Sequence, residues 1–184
     1  MAPIATTTAV DKAAACLRHG GLLAYPTGGV FGLGCDARDD QAIRRLLAVK
    51  HRSAEEGLIV LVADWDAVEP WILPLPPDLA GQRHPGITWL HPAAATAPRL
   101  LTGRHQTLAV RLPAWPPTLD LCTAFGAPLV STSANPSGTP APLAAAEVEA
   151  AFPAGGIDLI LDLPCGARRG PSEIRDLPTG HRLR

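Results

Sequence analysis

Apolar positions in this chain fall into short runs separated by polar and turn-forming residues. Ala13, Ala14 and Leu17 recur at helical spacing before Gly20-Gly21, and Thr8 with Asp11 has the form of a capping box, so a helix is predicted over 8–19. LLAY (22–25) predicts a buried strand ended by Pro26. A second helix, capped by Asp39 or Asp40, carries Ile43, Leu46, Leu47 and Lys50 at helical spacing. LIVLV (58–62) predicts another buried strand, followed by a short helix from Asp64 to Trp71 and a Pro-rich stretch at 74–77. The second half alternates in the same way. Strands are predicted at 87–91, 107–112, 128–133 and 157–162, and helices from Thr118 to Phe125 and from Leu143 to Phe152. Strands alternating with helices of about ten residues indicate an α/β fold with a largely buried sheet, whose ligand sites lie in loops beyond strand ends.

Composition narrows this picture. The 184 residues include 20 Pro and 17 Gly, which break up long helices, and 47% hydrophobic against 18% charged residues excludes a disordered chain. One domain spanning 1–184 is expected. No apolar run approaches the roughly 20 residues of a membrane span. The N-terminus MAPIATTTAV lacks a basic start and an apolar stretch, so a cytoplasmic location is expected. Cys16, Cys35, Cys122 and Cys165 form no C-x-x-C pair, and four reduced, mostly buried thiols are expected rather than a zinc or dithiol site.

Net charge is −1, yet no acidic residue lies between Asp78 and Asp120, and five Arg fall from Arg168 to Arg184. Such segments suit either an anion site or a solvated basic face. YPTGGVFGLGC (25–35) carries Gly28, Gly29, Gly32 and Gly34 in what reads as a strand-end loop. It matches neither the P-loop nor the Rossmann pattern, leaving a tight turn or an anion-binding backbone. Lys50 and Arg52 flank the end of the second helix, where cations either answer the helix dipole or grip neighbouring phosphates. Ser131, Thr132, Ser133 and Asn135 crowd the exit of a buried strand, and unsatisfied groups there would each cost about 1–3 kcal/mol. No G-x-S-x-G elbow surrounds Ser133, which argues against a nucleophilic serine. Arg111, between apolar neighbours in AVRLP, needs a sheet edge, a carboxylate or a phosphate.

Taken in order, YPTGGVFGLGC, LLAVKHR with GLIVLVA, HPGITW with LTGR, LAVRLP, PLVSTSANPSG and PSEIRD resemble the YrdC/TsaC family of threonylcarbamoyl-adenylate synthases, from about Gly20 onward. The resemblance implies a twisted mixed sheet flanked by helices around a deep, positively charged cavity. It implies synthesis of L-threonylcarbamoyl-AMP from L-threonine, bicarbonate and ATP, with pyrophosphate released and Mg²⁺ accompanying ATP. It assigns the ATP phosphates to Lys50 and Arg52, and nucleotide and acyl-phosphate contacts to Ser131, Ser133 and Asn135. On this resemblance, catalysis is expected to rest with Lys50, Arg52, Ser133 and Asn135, with no protein-held metal. The same resemblance implies that Thr27 and Arg111 contact threonine, that Ser172 closes the cavity and that Arg184 touches the nucleotide. The product would pass to a TsaD-type transferase complex acting on tRNA. Gly28 replaces a usual acidic residue, His84 a usual tryptophan, Ile87 a usual proline and Gly170 a common asparagine. The short ending implies no additional C-terminal domain. Two other readings are a non-catalytic RNA-binding module, from the acid-free stretch and basic tail, and a relative using another carbamoyl substrate, from Gly28 and His84.

Overall fold

The computed structural model describes residues 3–168 and 172–184, so Gly170 lies outside the described residues. Its strands are β1 (Thr6–Thr7), β2 (Leu23–Pro26), β3 (Phe31–Gly34), β4 (Ile59–Leu61), β5 (Thr88–Pro92), β6 (Thr107–Arg111), β7 (Leu129–Ser133), β8 (Leu159–Leu161) and β9 (Ile174–Asp176). The helices are α1 (Val10–Arg18), α2 (Asp40–Lys50), α3 (Pro77–Ala80), α4 (Arg99–Thr102), α5 (Pro116–Phe125) and α6 (Ala145–Ala151). All nine strands join one mixed sheet in the order β1-β8-β2-β3-β7-β4-β6-β5-β9. None of the described helices is long and apolar enough to cross a membrane.

Local chemistry explains where the elements differ from expectation. Helix α1 begins after Ala9 with no side-chain cap, because Thr7 rather than Thr8 turns its hydroxyl to the incoming backbone, accepting from Ala9 N. Asp39 caps α2 by accepting from the amides of Gln41 and Ala42. Residues Trp65–Trp71 form a 3₁₀ helix instead of an α-helix, with Pro70 inside it unable to donate. Helix α5 starts two residues early, since Pro116-Pro117 suit the first helical turn.

The glycine-rich stretch is not simply a strand-end loop. Thr27–Val30 is the turn of a hairpin whose second strand, β3, contains Gly32 and Gly34. Contact requires glycine at 34 and favours it at 32. A Cβ on Gly34 would sit 2.1 Å from the Val130 carbonyl oxygen, and one on Gly32 about 3.1 Å from the Tyr25 ring.

Strand alternation divides the core in two. On one sheet face Ala24, Leu33, Val60, Leu108, Val110, Val130 and Ile160 are buried together with α2, Val148 and Phe152. On the other, Leu23, Tyr25, Leu61, Leu129 and Leu161 are covered by Ala13, Ala14 and Leu17 of α1 and Leu121, Cys122 and Phe125 of α5. These two helices cover only part of that face. Further along it Gly32, Ile59, Ala109, Arg111, Ser131 and Ser133 are left facing a cavity. The ligand-sized space therefore lies on the sheet itself, not in loops beyond strand ends. All four cysteines are free, and burial raises the Cys16 and Cys122 thiols to about 11 and about 12, which removes them as nucleophiles at neutral pH.

Candidate functional site

The cavity has a volume of about 760 Å³, within the roughly 300–1,000 Å³ of small-molecule sites. Its floor is built by register. Ser131 pairs with Ile59, Ile59 with Ala109, and Ala109 with Leu90, so side chains of four adjacent strands meet in one row. Leu58, Leu101 and Leu183 add an apolar wall. Thr27, Arg52, Arg111, Ser131, Ser133, Asn135, Ser172 and Arg184 all line it. Lys50 is the one predicted site residue absent from the lining.

Lys50 is 3% exposed, and its ammonium donates to the backbone carbonyls of Ser133 and Asn135. It props the end of β7 from beneath. Burial, and secondarily the neighbouring Arg52, lowers its pKa to about 8. The split between Lys50 and Arg52 is made by His51, which terminates α2 in the left-handed region at φ 52°. The Arg52 amide then donates back to Leu47 O at 3.0 Å and its side chain enters the cavity. There the guanidinium donates to Thr132 Oγ1 at 3.3 Å and Gly57 O at 3.0 Å, with Glu56 3.4 Å away. Two cations that look equivalent in sequence thus have separate tasks.

Arg111, at the end of β6, lines the same cavity. Its Nε is buried without a hydrogen-bond partner, and no ion pair with a carboxylate forms among the described residues. Burial lowers its pKa, helped by the like charges of Arg168 and Arg184. Both of those arginines line the same cavity. Arg168 donates to Gly86 O at 3.2 Å, and Arg184 through Nε to Ser172 O at 3.2 Å. Three guanidinium groups near one another without a carboxylate leave strong donors for an anion.

Neutral groups fill the space between. Asn135 spends its amide hydrogens on Pro136 O and Thr139 O, while its Oδ1 is buried and unpartnered among the described residues. Thr27 holds its own turn by donating from Oγ1 to Val30 O at 2.7 Å. The Thr88 and Ser172 hydroxyls lie 3.3 Å apart. The Tyr25 hydroxyl is buried beside Ser131, and burial pushes its pKa well up. Sequence reasoning did not single out Tyr25, Glu56 or Arg168. Arg168 was visible only as one charge of the basic tail, and its placement depends on Gly166, where a Cβ would meet Gly28 O at 2.6 Å. At Gly28 the nearest atom to an added Cβ is Trp115 Cβ at 3.8 Å, so no crowding enforces glycine there. The acid-free stretch does not act as one basic face, since Arg83 lies over the Trp65 ring at 4.6 Å while His105 and Arg111 line the cavity. His91 is fully buried, with its pKa lowered to about 4, and takes no part.

The Sua5/YciO/YrdC family model, described as telomere recombination, matches residues 15–184. Over 183 residues the chain is 46% identical to a threonylcarbamoyl-AMP synthase of Chromohalobacter salexigens, covering 97% of this chain and 98% of the relative. A threonylcarbamoyl-AMP synthase of Coxiella burnetii is 40% identical over 182 residues, with 97% of each chain covered. Among solved structures, P. abyssi Sua5 complexed with L-threonine superposes with a TM-score of 0.84 at 32% identity, covering 96% of this chain and 55% of the Sua5 chain. The chain therefore spans about half the length of that Sua5.

Proposed function

The chain belongs to the Sua5/YciO/YrdC family, and we propose that it synthesises L-threonylcarbamoyl-AMP from L-threonine, bicarbonate and ATP, releasing pyrophosphate. The observation that carries this reading is Arg111, on the cavity wall beside Arg168 and Arg184, its Nε buried and without a carboxylate partner among the described residues. A free amino acid supplies the missing carboxylate, and the threonine bound to P. abyssi Sua5 supports that choice.

Bicarbonate and the threonine amine lose water to form a carbamate. A carbamate oxygen then attacks the α-phosphate of ATP, and the bond to the β-phosphate bridging oxygen breaks as pyrophosphate leaves. Negative charge is concentrated in both reactants. The task of the protein is to hold two anions at reacting distance and to stabilise charge on the phosphorus centre. Arg111 anchors the threonine carboxylate, with Thr27 and Ser172 near that end. Arg52 takes the phosphates, and Ser131, Ser133 and Asn135 contact nucleotide and acyl phosphate. Arg184 borders the nucleotide. Lys50 acts indirectly by fixing the Ser133–Asn135 backbone.

The described residues assemble no group of three or more His, Cys, Asp or Glu side chains for a metal. Mg²⁺ enters as part of the nucleotide substrate, carried by phosphate oxygens and water. The adenylate is a mixed anhydride prone to hydrolysis, and its proposed consumer is a TsaD-type transferase complex acting on tRNA in the cytoplasm.

The test is pyrophosphate release with ATP, Mg²⁺, bicarbonate and L-threonine. Release requires all of them, and Arg111→Gln raises the threonine KM at least tenfold while leaving ATP affinity nearly unchanged. Equal release without threonine sinks the assignment. A panel of other amino acids in the same assay separates this reading from a relative with a different carbamoyl substrate.

A further inference from the structure

Glu56 is the one carboxylate among the described cavity-lining residues, against Arg52, Arg111, Arg168 and Arg184. It lies four residues after Arg52, with Oε2 3.4 Å from Arg52 Nε. That nitrogen makes no hydrogen bond among the described residues. The guanidinium is already oriented by two neutral acceptors, Thr132 Oγ1 and Gly57 O. Glu56 consequently contributes charge to Arg52 and not direction. The Glu56 side chain is 52% exposed, while that of Arg52 is 25% exposed. It stands at the end of a 3₁₀ turn, Ala54–Glu56, held by Ser53 Oγ accepting from Glu55 N and followed by Gly57 at φ 70°. A half-exposed carboxylate can turn out to water without disturbing that turn.

We propose that Glu56 is an internal counter-ion that competes with the polyphosphate of the substrate for Arg52. In the empty cavity it neutralises Arg52. An entering polyphosphate takes over the guanidinium and drives the carboxylate outward, and a divalent cation on the phosphates reduces the repulsion. Glu56 therefore lowers affinity for anions too weakly charged to displace it, making it a specificity-determining residue. This rests on the proposed assignment of Arg52 to phosphate.

The experiment is calorimetric titration of inorganic tripolyphosphate, without Mg²⁺ and at low salt, into the wild type, Glu56→Gln, Arg52→Gln and the double variant. Exposed ion pairs are weak, so Glu56→Gln is expected to bind about two- to fivefold more tightly. The gain shrinks at about 0.5 M salt and vanishes in the Arg52→Gln background. Unchanged or weaker binding by Glu56→Gln overturns the proposal, as does undetectable binding by both wild type and Glu56→Gln. Failure of the synthase reading is separate: if the tripolyphosphate pattern appears but threonine-dependent pyrophosphate release does not, the counter-ion stands and the reaction assignment falls.

Discussion

At Lys50 an ammonium group has left water and met two carbonyl oxygens, whereas two residues on Arg52 has entered a cavity. The K-x-R spacing was legible in the sequence, but the left-handed His51 that separates the two was not, because a non-glycine residue rarely adopts that conformation. The buried amine has a folded-state pKa of about 8 against 10.5 when unburied, so the folded protein loses this proton first as pH rises. Between those values the unfolded chain binds more protons, and the group's contribution to stability rises with pH. The penalty for its charge is fully present below about pH 8 and relieved towards pH 10.5. Urea denaturation of wild type and Lys50→Met from pH 7 to 10 is expected to show their difference moving in favour of wild type. A difference independent of pH rejects this account.

Among the elements, β3 was the least legible. FGLG offers two side chains in four residues, so apolar alternation could not reveal a strand, and its glycines read as loop chemistry. They serve packing, Gly34 against the Val130 carbonyl and Gly32 against Tyr25. Gly34→Ala is predicted to push β3 off β7 and cost about 1–3 kcal/mol, seen as a melting temperature lower by several degrees. An unchanged melting temperature contradicts the close approach. The long helices and apolar strands were legible because each buries one continuous stripe or run. Strand β1, of two residues, carries too little pattern for periodicity to detect. The polar segment STSAN was legible as cavity lining because serine, threonine and asparagine following a buried valine need partners.

For the molecule as a whole, the sequence pattern points to a ligand site beyond strand ends, whereas the cavity lies on a sheet face that α1 and α5 leave partly uncovered. No local signal states how far a helix pair reaches across a sheet. The cavity draws Thr27 and Gly32 from one half of the sheet and Arg111, Ile174 and Arg184 from the other, so a ligand ties both halves together. ATP with L-threonine at about a hundred times their dissociation constants should add about 2.7 kcal/mol per independently bound ligand. That corresponds to a rise of about 5–10 °C in melting temperature. No shift at saturating ligand, measured by differential scanning, counts against binding in this cavity.

The alternation along β6 carries a final consequence. Arg111 faces the cavity because Val110 and Leu108 face the apolar core, and pairing of Leu61 with Arg111 sets that phase. A slip of one residue would turn the guanidinium into hydrocarbon and bring valine to the substrate. Misregistered pairing is thereby penalised by the same arginine that lines the cavity, so Arg111 also specifies the register of β6.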